Sequence, residues 1–363
     1  MRDVRVHTLG LVHRGPQVGR ASFIRQLKYR RWFVVGLVAF GTMVGMVMVD
    51  IDDVRAAAKR ISGQHVRTPL LPWPLAGSEV WLKPENLQPT GAFKLRGAAN
   101  AIGTLTDAER SAGVVTYSSG NHGRAVAWAA RRYGVPAVVV MPDSTPAVKV
   151  EGVRAIGAEV ILVPAAERER RAEEILAERG GALIPPFDHP DVIAGQGTIG
   201  LEIAEDLPDV DTVLVPVSGG GLVSGIAVAI KALCPQARVI AVEPELAADL
   251  AEGFAAGRRV GWPHEWTART IADALRVTLV AELTWEHIKR FVDDVVTVPE
   301  EAILQTTARL AMSARIVAEP SGAVAPAVVL TRPEVASGRT VAIVSGGNVE
   351  PSLLVRVLSE YAT

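Results

Sequence analysis

The chain has 363 residues, 49% of them hydrophobic, which is enough to bury a large core and suits one two-lobed enzyme or two domains. Lys+Arg 38 against Asp+Glu 39 leaves a net charge of −1, so no nucleic-acid or polyanion surface is expected. Cys234 is the only cysteine, which excludes an intramolecular disulfide framework and a thiolate metal cluster.

Arg25, Lys28, Arg30 and Arg31 precede an uncharged, mostly apolar run over residues 32–49. The run has the length of a signal anchor or a marginal membrane span, and its basic flank would keep the N-terminus inside. Three readings stand. The segment is translated upstream sequence ahead of a later start near Met43, Met46 or Met48, a true anchor, or a buried helix.

Val54, Ala57, Ala58 and Ile61 are spaced as the apolar face of a helix over residues 51–61. Arg67, Thr68, Pro69 and Leu70 then run extended, and Val80, Trp81 and Leu82 read as a short strand before a turn at Pro84, Glu85 and Asn86. The stretch TGAFKLRGA, from Thr90 to Ala98, follows. Gly91 lets the backbone approach a ligand, and Phe93 can wedge beneath a flat ring. Lys94 beside them is a candidate amine nucleophile, because desolvation weakens its charged form. The plainer alternative is a lysine snorkelling from a helix start.

The lysine stretch opens a helix that continues over residues 98–105, with Thr106 as the N-cap of the next. βα units then alternate: a strand at Val114–Tyr117, a polar loop at 118–123, a helix at 125–133, a strand at 137–141, a helix at 148–157, a strand at Glu159–Val163, and a charged helix to Glu178. This order predicts an α/β fold with mainly parallel sheets flanked by helices. Ligands in such sheets sit at the carboxyl ends of strands, where Ser118, Ser119, Gly120, Asn121 and His122 lie. Hydroxyls and N–H groups at a helix N-terminus can hold a carboxylate. A simple helix cap with an incidental histidine is the alternative.

Gly195, Gln196, Gly197 and Thr198 are read as the start of a helix to Asp206. A strand over 212–217 feeds Ser218, Gly219, Gly220, Gly221 and Leu222, a glycine turn whose N–H groups can cradle a phosphate. It has neither the distal glycine of a dinucleotide fingerprint nor the Lys-Ser/Thr of a P-loop. After a strand over 239–242, Glu243 and Asp249 with a free carbonyl between them suit a hard divalent cation. A solvated acidic helix start is the competing explanation. A helix over 300–316, another opening at Glu319 and Pro320, and a strand over 340–344 ending in Ser345, Gly346, Gly347 and Asn348 complete the chain.

The run KPENLQP followed by TGAFKLRGA, from Lys83, closely resembles the lysine segment of fold type II pyridoxal-phosphate enzymes, specifically the threonine/serine dehydratase and serine racemase family. The resemblance extends from about Asp50 to the C-terminus and is supported by SSGNHG, AGQGTIGLEI, the glycine turn and SGGN. It implies a two-domain enzyme, with residues 49–112 and 190–363 forming the large cofactor-binding domain and 113–189 the small one. Residues 1–48 would be an N-terminal extension.

The resemblance also implies roles. Lys94 would hold pyridoxal 5′-phosphate as a Schiff base, with Phe93 beside it. Residues Ser118, Ser119, Gly120, Asn121 and His122 would grip the substrate carboxylate, with Asn121 also beside the cofactor's 3′-oxygen. Ser119 would handle a proton on the face opposite the lysine. Ser218, Gly219, Gly220, Gly221 and Leu222 would bind the phosphate, with Ser218 replacing the family's first glycine. Ser345 would face the pyridine nitrogen. Glu243, the Ala247 carbonyl and Asp249 would hold Mg²⁺ or Ca²⁺.

The departures are Arg124 where the family has glutamine, Ala274 where it has glycine, and a divergent stretch over 277–283. No regulatory domain of the kind that biosynthetic threonine dehydratases carry is expected after the segment around Val357. The expected activity is conversion of an L-hydroxyamino acid to a 2-oxo acid and ammonia. Serine racemase and 3-hydroxyaspartate dehydratase are the alternatives within the family, and a non-catalytic ligand-binding relative the one outside it. A cytoplasmic homodimer or homotetramer acting on a small amino acid is expected, with a membrane involved only if 32–49 is an anchor.

Overall fold

The computed structural model describes residues 48–73, 79–118 and 120–362. The apolar run up to residue 47, and Ser119, lie outside the described residues. No helix among those described is long and apolar enough to cross a membrane.

The described strands are β1 (Leu71–Pro72), β2 (Glu79–Pro84), β3 (Val114–Tyr117), β4 (Ala137–Pro142), β5 (Glu159–Val163), β6 (Ala182–Leu183), β7 (Thr212–Pro216), β8 (Arg238–Pro244), β9 (Asp294–Val298) and β10 (Arg339–Val344). They form two sheets, a six-stranded one in the order β1-β2-β10-β7-β8-β9 and a four-stranded one in the order β5-β4-β3-β6. Every pairing is parallel except β1 with β2. The chain is an α/β protein with mainly parallel sheets, as its alternating pattern requires.

The central strands are buried on both faces. All residues of β4 and β7, and all but the first of β8 and β10, are inaccessible. Along β7 and β8, alternate side chains enter different cores. Leu214, Ile240 and Val242 pack with Val324 and Val328 on one side, while Val213, Val215, Val239 and Ala241 pack with Ile226 and Ile230 on the other. Each fully buried aliphatic side chain of this kind contributes about 1.5–3 kcal/mol.

The helices that frame the site are α1 (Ile51–Arg60), α2 (Lys94–Gly103), α3 (Asp107–Ala112), α4 (Asn121–Tyr133), α5 (Ala147–Arg154), α6 (Arg168–Arg179), α7 (Pro190–Asp206), α8 (Gly221–Leu233) and α9 (Asp249–Ala256). Thr106 caps α3 in a reciprocal box with Glu109, as expected. Asp50 and Asp53 do the same for α1.

Three boundaries differ from the sequence reading by four residues or more. The helix placed from Gly195 is α7, which starts at Pro190 with His189 as its cap, because proline suits the first turn. The helix placed at 125 is α4, which begins at Asn121, so Asn121 and His122 sit on a first turn rather than a loop. The helix placed to 316 is α-helical only over Glu300–Arg309. It then widens into a π turn at Leu310–Ala314, closed by Arg315 at φ 62°. The strands β6 and β9 and the helix Glu282–Phe291 were not anticipated.

The insertion of the last strand, β10, between β2 and β7 positions the site. Its carboxyl end meets the start of α2: Ala92 bridges Gly346, the Phe93 amide donates to the Ser345 carbonyl at 3.1 Å, and Gly347 N donates to Gly91 O at 2.9 Å.

Candidate active site

Gly91 has φ 77°, and a Cβ at that position would overlap the Asn348 side chain, so the turn before Lys94 requires glycine. Lys94 is the first residue of α2 and faces a cavity of about 770 Å³. Its Nζ donates to the Pro186 carbonyl at 2.7 Å and lies 5.0 Å from the centroid of the Phe93 ring. Burial lowers this amine to about 8, so a substantial neutral fraction exists near neutral pH.

Opposite stands the glycine turn. Gly220 has φ 89°, and a Cβ on it would meet Thr284. The turn delivers α8, whose first-turn N–H groups have no helical acceptor and carry the positive end of the helix dipole. Ser218 is not an idle replacement. Its Oγ accepts the Val277 N–H at 3.2 Å and joins the turn to the divergent stretch, while Thr284 Oγ1 holds the Gly219 carbonyl at 2.8 Å.

Ser345 at the end of β10 is buried, with its hydroxyl donating to the Ser321 carbonyl at 3.3 Å. Asn121 opens α4; its Nδ2 donates to Glu319 Oε1 at 2.7 Å, and its Oδ1 accepts from Asn348 Nδ2 at 2.7 Å. Lys94, Asn121, Gly220, Ser345 and Glu319 all line the one cavity.

A model described as pyridoxal-phosphate dependent enzyme matches residues 61–346. The L-threonine ammonia-lyase of Thermotoga maritima is 42% identical over 323 residues, covering 86% of this chain and 79% of that protein. The L-threo-3-hydroxyaspartate ammonia-lyase of Saccharomyces cerevisiae is 39% identical, covering 88% of this chain and 97% of that protein. The solved structure of maize serine racemase matches with a TM-score of 0.81 at 39% identity, covering 86% of this chain and 98% of that one.

The chain belongs to the pyridoxal-phosphate enzymes of the threonine dehydratase and serine racemase family.

Its residues fit the family's cofactor. An amine lowered by burial, a bare helix N-terminus behind a glycine turn, and a neutral buried hydroxyl are the donors that an aldehyde, a phosphate and a ring nitrogen need.

Other parts of this pyridoxal-phosphate enzyme were less legible. His122 is buried, and its Nε2 donates to the Ile184 carbonyl at 2.9 Å. Burial lowers it to about 3, so it is neutral and ties α4 to β6 rather than offering a cation to a carboxylate. Ser118 Oγ accepts the Gly120 N–H at 3.3 Å. Arg124 is exposed at the cavity, 3.5 Å from Asn348 Oδ1, and the Ala274 N–H donates to Ser321 Oγ at 3.0 Å.

Glu243, near the end of β8, is buried; its two oxygens accept N–H bonds from Leu250 at 3.1 Å and Ala251 at 2.8 Å, capping α9. Asp249 is also buried, and its Oδ2 has no hydrogen-bond partner among the described residues. Burial pushes Asp249 up to about 7, and burial with the nearby Asp249 charge raises Glu243. These carboxylates are therefore not a solvated helix start. Among the described residues no third acidic, histidine or cysteine ligand joins them.

Two features escaped the sequence reading. One is Glu319, whose signal was a glutamate at the cap of a buried helix, Pro320–Thr331. The other is a buried ionic cluster behind Lys94. Arg96 makes bonds of 2.8 Å to both oxygens of Glu85, and of 2.6 and 2.9 Å to those of Glu202. Lys83 Nζ donates to Glu202 Oε2 and to the Thr68 carbonyl, each at 2.6 Å. In the sequence Lys83, Glu85 and Arg96 stand among polar residues such as Asn86, Gln88 and Thr90, so no local pattern marked the cluster.

Proposed function

We propose that this chain is an ammonia-lyase that converts an L-hydroxyamino acid, threonine or serine, to a 2-oxo acid and ammonia. The observation that carries the reading is the pairing of a half-buried Lys94, whose desolvation lowers its amine to about 8, with a hydroxyl, Ser345, rather than a carboxylate. When bound, pyridoxal phosphate supplies the electron sink for charge that develops at the substrate Cα. Lys94 holds that cofactor and, once released by the substrate amine, takes the Cα proton. Ser345 does not enforce a protonated ring nitrogen, which favours loss of the β-hydroxyl over transamination. The first turn of α4 and the adjoining residues Ser118, Ser119, Gly120, Asn121 and His122 orient the substrate carboxylate, and the turn from Ser218 to Leu222 takes the phosphate. A panel of hydroxyamino acids read by 2-oxo-acid formation, with chiral analysis of the amino acid left over, tests the reading. Wild-type turnover of L-serine giving mostly D-serine and little pyruvate would overturn it.

Racemisation is the second reading, favoured by Ser119 in the SSGNHG loop and by the likeness to maize serine racemase. Lys94 works from one face of Cα, and racemisation needs a proton donor on the other, the role this reading gives Ser119. A positioned acid or base contributes roughly 10²–10⁴-fold in rate. Ser119→Ala should therefore nearly abolish any racemisation and any use of D-substrates, while L-substrate dehydration keeps much of its rate. Equal losses of both activities would reject the division of labour. The 3-hydroxyaspartate alternative draws on Arg124, a cation at the cavity without a carboxylate partner among the described residues.

We also infer a cation site at Glu243, Asp249 and the Ala247 carbonyl, supported by an Asp249 oxygen with no partner among the described residues and by the Asp249 charge that, after burial, raises Glu243. Chelation should lower thermal stability, with Mg²⁺ or Ca²⁺ restoring it. An Asp249→Ala variant matching the wild type in stability and in its response to chelator would reject the site. The two sheets support a division into the small domain at 113–189 and the large one around it, and the family supports a homodimer or homotetramer; both remain proposals.

A further inference from the structure

We propose that Glu319 is a positioning residue of this site, which through its bond to the Asn121 amide fixes how Asn121 is presented to the cavity. The inference rests on the reading of Asn121 as the group beside the cofactor's 3′-oxygen.

The hydrogen bonds form a directed chain. Asn348 Nδ2 donates both to the Thr90 carbonyl at 2.9 Å and to Asn121 Oδ1 at 2.7 Å, so the nitrogen of Asn348 must face inward. Asn121 then has only its nitrogen left, and that nitrogen donates to Glu319 Oε1 at 2.7 Å. A carboxylate only accepts, so an ionised Glu319 holds the amide in this sense and leaves its second N–H for a ligand oxygen in the cavity.

The fold makes room for this carboxyl. A Cβ on Gly346 would overlap Glu319 Oε1, so the glycine after Ser345 leaves the space that Glu319 fills. The Glu319 backbone is pinned by its N–H to the Gly346 carbonyl at 3.1 Å.

No cation lies within ion-pair reach of Glu319 among the described residues, although it is only 5% exposed. The charged groups around it are Asp273 from the turn Asp273–Leu275, Lys149 from α5, and Arg124 and Lys94 on the same cavity wall. Burial, with Asp273 adding to it, raises the carboxyl to about 7, against the pull of Asn121, Lys149 and the Asn348 N–H. A protonated Glu319 keeps an acceptor oxygen but loses the charge that strengthens its bond from the Asn121 amide, so its hold on that amide weakens. The presentation of Asn121 therefore depends on pH close to neutrality.

The test compares wild type, Glu319→Gln and Glu319→Ala in apo and cofactor-loaded forms. Glutamine keeps the shape and an acceptor oxygen but cannot ionise. Loss of one hydrogen bond to a charged group corresponds to roughly a tenfold to hundredfold weaker dissociation constant, which is the expected loss of pyridoxal-phosphate affinity in Glu319→Ala above pH 7. Glu319→Gln should bind close to wild type but lose the wild-type change in affinity and visible absorption through about pH 7.

The apo protein gives a readout that needs no cofactor. The folded carboxyl keeps its proton between about 4.5 and about 7 while the unfolded one loses it, so wild-type stability should fall relative to Glu319→Gln as pH rises through that window. Identical pH profiles of affinity and of apo stability in wild type and Glu319→Gln overturn the proposal, as does unchanged affinity in Glu319→Ala. Borohydride labelling of Lys94 in the loaded proteins keeps the two questions apart. A wild type that takes no label at Lys94 defeats the reading of the site itself, and with it this proposal. A labelled wild type with flat profiles defeats Glu319 alone.

Discussion

Lys94→Ala is expected to abolish both elimination and racemisation and to leave the protein unable to hold pyridoxal phosphate covalently. Borohydride reduction and peptide mapping of the wild type should place the label on Lys94. The expectation combines two losses at one atom. The covalent tether disappears, and so does the base that takes the Cα proton, a role contributing on the order of 10²–10⁴-fold by itself. The fold should survive, because the amine makes one hydrogen bond, to the Pro186 carbonyl, and removing it relieves the burial of a charge. Burial that lowers the free amine to about 8 also sets a pH signature. Its neutral fraction grows as pH rises toward that value, so steps that use the free amine should speed up from pH 6 to pH 8. A label on another lysine, or full activity in Lys94→Ala, would remove the role given to Lys94.

Arg96→Met should produce the largest loss of stability. Arg96 is completely buried and neutralises Glu85 and Glu202 together, with Thr198 as a further partner at 3.1 Å. Breaking a buried pair by deleting one partner costs about 3–5 kcal/mol, because the other charge stays behind uncompensated. That is a large share of the roughly 5–15 kcal/mol by which native proteins are stable. Urea denaturation should show a lower midpoint, with Arg96→Lys only partly restored because an ammonium cannot bridge both carboxylates in plane. A midpoint equal to wild type would mean that the cluster contributes nothing.

The cluster also predicts acid sensitivity. Burial pushes Glu202 up, but bonds from His65 and Arg96 and the charges of Arg96 and Lys83 outweigh it and hold the group below its ordinary value. A depressed carboxylate contributes stability above about pH 4.5 and loses it as pH falls further. Wild-type stability should therefore drop below pH 4.5 more steeply than that of Arg96→Met.

The fold class was legible because alternating βα units leave a period that survives in one sequence, and long strands such as β7 and β8 are continuous apolar runs. The short strand β6 left no such trace, since two residues between Gly181 and Ile184 carry no period. In the site, Lys94, the glycine turn and Ser345 were readable because each sits where a strand ends or a helix begins. Glu319 was not, because its meaning depends on Asn121, 198 residues away. The bond of the His122 ring to the Ile184 carbonyl was not readable for a similar reason. AGQGTIGLEI was recognised as a motif, yet its glycines serve packing rather than ligand contact.

Those glycines govern how the molecule can move. A Cβ on Gly195 would strike the backbone of Arg96 and Gly97, one on Gly197 the Gly225 carbonyl, and one on Gly225 the Ile193 carbonyl. The helices α2, α7 and α8 thus mesh main chain against main chain, and a sliding step of even one side chain's width would drive backbone into backbone. α2 also packs on α4, where Leu95, Ala98 and Ile102 share one cluster with Val126, Ala129 and Ala130. A backbone mesh of this kind acts as a locked joint. The lysine and the phosphate turn therefore ride on helices locked to one another.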